Sequence, residues 1–292
     1  MAKATYLLAY LDWAMGRNEA AGVKAERACG LARQAGDERL EASIVRLQCV
    51  ILYWGPTPIA EVERYNKEAL ELAKRTGQGN LEAGALTIAA RIAAMHGEFE
   101  RARRLSKAAE RINTDLGELL TGAMDTLTEG VIGLLSNDLS AAEQALRRGF
   151  DALERMGGAG PKANVAAWLA RVLLRQERLD EAEQMTRHCE VCAATHQADA
   201  QARWRSIRAV ILARRQDVAE AERLIKEALE RADETDQPDT QAEVRADYAE
   251  VLRMAGRRQE AAKELKKAKD LYEEKGNLAA AKQMSTVLVT LR

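Results

Sequence analysis

A chain of 292 residues with 44 basic and 45 acidic side chains carries a net charge of -1, so it offers no global basic surface for the phosphates of nucleic acid. Aromatics make up 4% and charged residues 30%, a balance that favours helices built on alanine and leucine over a β-rich fold. There is no apolar run of about 18 residues for a membrane span and no uninterrupted apolar stretch behind Lys3 for a signal peptide. Four cysteines are too few for a disulfide framework in a chain this long, so a reducing, cytoplasmic setting is expected.

In chain order, one frame of small residues recurs. It starts as Ala9, Gly16, Ala21 and Ala28. The second copy breaks at Gly55-Pro56-Thr57-Pro58, a turn two residues longer than the others. The third is Ala90, Gly97, Ala102, Ala109, and the fourth is Gly130, Asn137, Ala142, Gly149. Then come Ala170, Glu177, Ala182, Cys189; Ala209, Gln216, Ala221, Ala228; and Ala249, Gly256, Ala261, Ala268. The breaks fall about 40 residues apart, the signature of a solenoid.

Within each unit the apolar residues follow helical spacing, as in 200–215 and 218–233, so each unit reads as two helices. Pro56, Pro58, Pro161 and Pro238 all fall at turns or first helical turns. Asp180 and Asp217 are expected to cap second helices, and Asn80, Asp199 and Thr240 first helices. The whole chain, 1–292, reads as one solenoid, with a slightly longer connection at 157–161 that is the only candidate joint. A last helix over 277–291, apolar through Ala279, Ala280, Met284, Val287 and Leu288, is expected to cap the open end. Alanine, glycine or cysteine at the repeated sites marks close backbone approach, filled in by neighbours such as Leu212, Leu224 and Leu252.

The order small, apolar, Gly, aromatic or apolar, Ala, Ala resembles the tetratricopeptide repeat. Ala90, Gly97, Phe99, Ala102 and Ala109 form the copy that fits it best. The period is longer than the family's common form, and the large aromatic early in the first helix is replaced in the region of Thr126, Arg205 and Arg245. The long repeats and the ending Leu271-Tyr272-Glu273-Glu274-Lys275-Gly276-Asn277 are similar to the C-terminal sensor regions of bacterial signal-transduction ATPase regulators of the maltose-activator type. The resemblance implies an all-α, right-handed superhelical solenoid of about seven helix pairs, with a concave face that binds protein or peptide.

No phosphate-binding loop, nucleophile turn or zinc helix motif is present in the sequence, so no catalytic residue and no cofactor is assigned. On one continuous helix Cys189, Cys192 and His196 would share a face and offer three zinc ligands. Cys189, however, occupies the repeat's small-residue site, so it reads as a buried core residue and no metal is assigned.

The helix phase puts Tyr6, Tyr10 and Trp13, then Arg46 and Tyr53, then Arg91 and Met95, on the concave side. Asn164, Trp168, Arg171 and Arg175 follow from unit five, and Arg203, Ser206 and Arg214 from unit six. Asp247 and Glu250 make unit seven acidic. The expected groove is therefore Tyr10, Tyr53, Arg91, Asn164, Trp168, Arg171, Arg175, Arg203 and Arg214, with its basic part in units five and six. Mutually repelling guanidinium groups there would select an acidic segment. The Lys/Asn/Arg clamp of chaperone-tail binders is not recognisable, since Val131 and Trp168 stand where it would want asparagine. The expectation is a non-catalytic peptide-binding module of a bacterial regulator. The alternative is a domain holding a small effector near Trp168 and Arg171, signalled by a deep closed cavity in place of an open channel.

Overall fold

The turn inside a repeat is made by one residue in the left-handed region. Gly16, Gly97, Asn137, Glu177, Gln216 and Gly256 have φ between 60° and 82°. This conformation reverses the chain after a helix and satisfies its last carbonyls. The exception is Gly55, with φ -74° and ψ -174°, where the Pro56–Pro58 insertion makes the turn and Pro58 precedes the next helix.

The computed structural model describes residues 1–290, and every regular element among them is an α-helix. The first pairs are α1 (Ala2–Ala14) with α2 (Asn18–Gln34), α3 (Glu38–Trp54) with α4 (Ile59–Thr76), and α5 (Gly79–Met95) with α6 (Phe99–Asp115). Next come α7 (Leu119–Ser136) with α8 (Leu139–Met156), and α9 (Ala159–Arg175) with α10 (Leu179–Cys192). The last pairs are α11 (Ala198–Arg214) with α12 (Val218–Asp233), and α13 (Pro238–Met254) with α14 (Arg258–Lys275); α15 (Leu278–Thr290) follows. Seven pairs stack into the solenoid that the repeat implies. None of the described helices is long and apolar enough to cross a membrane.

Odd-numbered helices α3 to α13 pack on one another and form the inner layer; even-numbered helices pack outside them. The repeated alanines are the contact points: Ala21, Ala28, Ala102, Ala142, Ala182, Ala221, Ala228, Ala261 and Ala268 are fully buried. Gly130 shows why the site must be small. A Cβ there would sit 2.7 Å from Leu146 Cγ on the partner helix.

Three aspartates cap the helices that directly follow them. Asp37, Asp138 and Asp217 accept from the backbone N–H of Leu40, Ala141 and Glu220. The expected caps Asp180, Asn80, Asp199 and Thr240 are not caps. Each lies one or two residues inside its helix, because the helix restarts immediately after the turn, with Arg178, Gln78, Gln197 and Gln237 at the cap positions. Gly157, with φ 69°, turns α8 into α9, and one apolar cluster continues from Ala123 to Val251 across this connection.

The stack closes on itself. The Asp236 carboxylate accepts from the N–H groups of Asn18 (2.8 Å) and Glu19 (2.7 Å), capping α2 from the other end of the chain. Asp236 N–H in turn donates to Gly16 O at 3.1 Å. The Lys275 ammonium is buried and donates to the carbonyls of Leu52, Gly55 and Thr57 at 3.0, 2.6 and 2.7 Å. Units one and two thus meet units six and seven. Helix α15 packs on α14 through Ala280, Ala281 and Met284, and crosses the inside to donate from Gln283 to the carbonyls of Leu134 and Leu135. Its expected last residue, Leu291, lies outside the described residues.

Candidate functional site

The inside of the closed turn holds two half-open compartments that share Trp54, from the end of α3, and Trp168, from α9. The C-terminal compartment has a volume of about 490 Å³ and is walled mainly by α7, α9, α13 and α15. The N-terminal one, of about 440 Å³, lies among α1, α3, α5, α7 and α9. Inner-layer helices supply most of the lining because their concave faces point inward.

The C-terminal compartment is polar but electrically balanced: Arg171, Arg175, Arg214 and Arg253 face Asp239, Glu243, Asp247 and Glu250. Arg171 pairs with Asp247. Arg214 pairs with Glu250 at 2.7 Å and Glu177 at 2.8 Å. Arg203 is 2% exposed, pairs with Glu243 at 2.9 Å, and lies 4.6 Å over the Trp168 ring. Arg175 donates to Leu134 O and Asn137 Oδ1 at 3.0 and 2.9 Å. Burial pushes the Asp239 carboxyl up to about 6, against a hydrogen bond from Asn277 and the nearby Lys275 charge. The expected cluster of uncompensated arginines in units five and six is therefore corrected. The acidic residues of unit seven neutralise three of Arg171, Arg175, Arg203 and Arg214: Arg203 and Arg214 from the neighbouring helix, and Arg171 from two units away.

The remaining expected groove residues divide between walls and mouth. Tyr53 is buried and forms part of the wall of the C-terminal compartment. Arg91, 8% exposed, lies across it: the guanidinium is 5.5 Å from the Tyr53 ring and 5.2 Å from the Trp54 ring, and Nε donates to Thr128 at 2.9 Å. Asn164 and Trp168 line the N-terminal compartment. Tyr10 stands at its mouth, 47% exposed, with its ring 5.2 Å from that of Trp13. Trp54 was not among the expected residues. The helix phase singled out its neighbour Tyr53, and Trp54 lines both compartments beside it.

The cysteine cluster is dispersed. Helix α10 ends at Cys192 and Ala193 is extended, so His196 leaves the face of Cys189 and Cys192. Cys189 is fully buried, and burial pushes its thiol up to about 12, so it packs as a protonated core side chain.

Residues 200–274 match the tetratricopeptide repeat family. No curated protein matches the sequence significantly. Three solved structures share the fold. The apo form of RapI superposes with a TM-score of 0.67 at 12% identity, covering 94% of this chain and 98% of that one. The apo form of the quorum sensor NprR from B. thuringiensis gives 0.55 at 12% identity, over 92% and 75%. A signal-transduction ATPase with a tetratricopeptide repeat sensor, from Pyrococcus horikoshii, gives 0.53 at 14% identity, over 98% of this chain and 44% of that one. Residues 200–274 thus match the tetratricopeptide repeat, and the chain as a whole is a solenoid of helix pairs with the fold of these three structures.

Proposed function

We propose that this chain is a non-catalytic recognition module, the sensing part of a bacterial cytoplasmic regulator, that takes a short peptide segment inside its closed turn. The observation that carries this reading is the bounded channel. Two compartments of about 490 and 440 Å³ meet at Trp54 and Trp168, behind the closure made by Asp236 and Lys275. Spaces of this size hold a compact ligand with apolar walls and a few polar anchors, and they exclude a folded partner. The groove residues Asn164, Trp168, Arg175 and Arg214 would contact the ligand, with Tyr10 at the entrance. Two proteins of the same fold are named as sensors, which favours sensing over scaffolding. The enclosure of Trp168 also favours a second reading, a small-molecule effector in the same space.

Native mass spectrometry after incubation with the low-mass fraction of a cell lysate tests the proposal. The expected result is a discrete mass adduct on the wild type that is absent from Trp168→Ala. Capture only of a large protein, bound equally by Trp168→Ala, would place recognition on the outer surface.

A further inference from the structure

Three arginines reach the N-terminal compartment: Arg46, Arg91 and Arg203. Arg203 is committed to Glu243. Arg46 and Arg91 form no ion pair with any described carboxylate, although 33 ion pairs are present among the described residues and most other inner-layer arginines have one. An arginine that is nine-tenths buried and unneutralised loses much of its hydration without the compensation that a carboxylate gives. At Arg91 the aromatic faces of Tyr53 and Trp54 and the Thr128 hydroxyl supply part of that compensation and fix the guanidinium in place.

Arg46 is positioned as deliberately. Its stem lies across Gly84 of α5, where a Cβ would come within 2.8 Å of Arg46 Cγ. Gly84 and Arg91 are two turns apart on one face of α5, about 10.5 Å along the helix, so both charges address one ligand lying in the compartment. Two carboxylates also line it. Asp199 is directed to Arg203, and Asp125 is occupied by Asn113 at 2.7 Å and Thr87 at 3.4 Å. Burial raises the Asp125 pKa, against the hydrogen bond from Asn113 and the charge of Arg91, which approaches it without forming an ion pair. Around these groups stand Tyr6, Tyr10, Trp13, Trp54 and Trp168.

We infer that the N-terminal compartment is an anion subsite, in which the positive charges of Arg91 and Arg46 together favour the carboxylate of a ligand whose aromatic or apolar body lies against Trp54 and Trp168. The inference rests on the channel being the ligand site, and it places the anion-selecting charge in units two and three. A carboxylate on an apolar body can come from the end of a peptide or from a small organic acid; the chemistry at the arginines is the same.

Isothermal titration calorimetry with N-acetylphenylalanine, its neutral amide, and the tetrapeptide Gly-Gly-Gly-Phe as free acid tests it. The acid is expected to bind at least fivefold tighter than the amide, and raising the salt concentration should reduce that ratio. Arg46→Gln, at a half-buried position with no ion pair to lose, should bring the ratio close to one, as should Arg91→Gln if its circular dichroism melt shows a folded chain. A tetrapeptide that binds tighter than N-acetylphenylalanine identifies a peptide end as the source, and the reverse order a small acid; both support the subsite. Equal binding of acid and amide, a preference that survives Arg46→Gln and folded Arg91→Gln, or no binding of either acid overturns the subsite. Binding of the amide without charge preference, lost in Trp168→Ala, would overturn the subsite while leaving the channel as the ligand site.

Discussion

The Lys275 ammonium reaches Gly55 O at 2.6 Å across 220 residues of sequence, and the same nitrogen serves Leu52 O and Thr57 O. These are the carbonyls that the end of α3 and its irregular turn leave without helical partners. A cation at the carbonyl end of a helix is favoured by the dipole as well as by the three hydrogen bonds. Lys275→Met keeps the apolar stem and removes the donors. It is expected to cost about 2–3 kcal/mol, the scale of stranding buried acceptors. Urea unfolding gives the stability, and small-angle scattering should give a larger radius of gyration for the variant. Unchanged values of both would show that the closure does not depend on this contact.

The same lysine makes a pH prediction. Burial brings its pKa down from 10.5 to about 8, with the Asp239 carboxylate pulling the other way. Between those values the unfolded chain holds a proton that the folded chain has released, so this group's contribution to stability rises with pH across that window. The stability of the wild type relative to Lys275→Met should increase between pH 8 and about 10, in parallel denaturant titrations. A relative decrease would mean that the three carbonyls hold the ammonium charged.

Arg171 and Asp247 pair inside the channel, and Arg171 Nη2 and Asp247 Oδ2 are buried without hydrogen-bond partners. Arg171→Glu would place two carboxylates together and is expected to cost about 3–5 kcal/mol, so a loss of binding in that variant would report unfolding. The double change Arg171→Met with Asp247→Leu should fall within about 1 kcal/mol of wild type or above it. Thermal melts of the single and double variants decide this; a double variant several kcal/mol below wild type would argue that the pair is strongly stabilising, and additive losses that the two side chains are not coupled.

Gln216 is exposed and held at φ 69°, a conformation that glycine provides in most of the other turns. Gln216→Gly should raise stability by about 1 kcal/mol, and Gly256→Gln should lower it by a similar amount. Denaturant midpoints that do not move in opposite directions would show that the turns tolerate the side chain.

Cys189 fills an alanine site, its thiol buried and 3.8 Å from Ala200 O. Cys189→Ala should be tolerated, whereas Cys189→Leu should cost about 1–3 kcal/mol by overpacking α10 against its neighbours. In the native protein a thiol reagent should label half-buried Cys192 ahead of Cys29, Cys49 and Cys189. Rapid native labelling of Cys189 would contradict the assignment.

What the sequence disclosed was local and periodic. The alanine frame marked the inner contacts, and the breaks marked left-handed turns even where the residue is Glu177 or Gln216. Caps were misplaced by one or two residues because Asp180 and Asp199 lie where a first-turn carboxylate and a capping one look alike in sequence. The inward face was legible for Trp168, Arg171 and Arg214, and so was the acidic turn of unit seven. The pairing of Arg171 was not, because it meets Asp247 across 76 residues, a distance set by how the stack curves. Curvature accumulates from small rotations per repeat, and no single residue encodes it. Lys275 and Asp236 were invisible for the same reason.

Closure has a consequence for the birth of the protein on the ribosome. An open solenoid can mature unit by unit as it emerges, since each repeat needs only its neighbours. Here the N-terminus of α2 waits for Asp236, 218 residues later, and the end of α3 waits for Lys275. Until nearly the whole chain has been synthesised, Asn18 and Glu19 lack their acceptor and the Gly55 turn lacks its donor. Nascent chains halted before Asp236 should therefore be most vulnerable to proteases around the start of α2 and the Gly55 turn, although these segments emerge before the units that complete them.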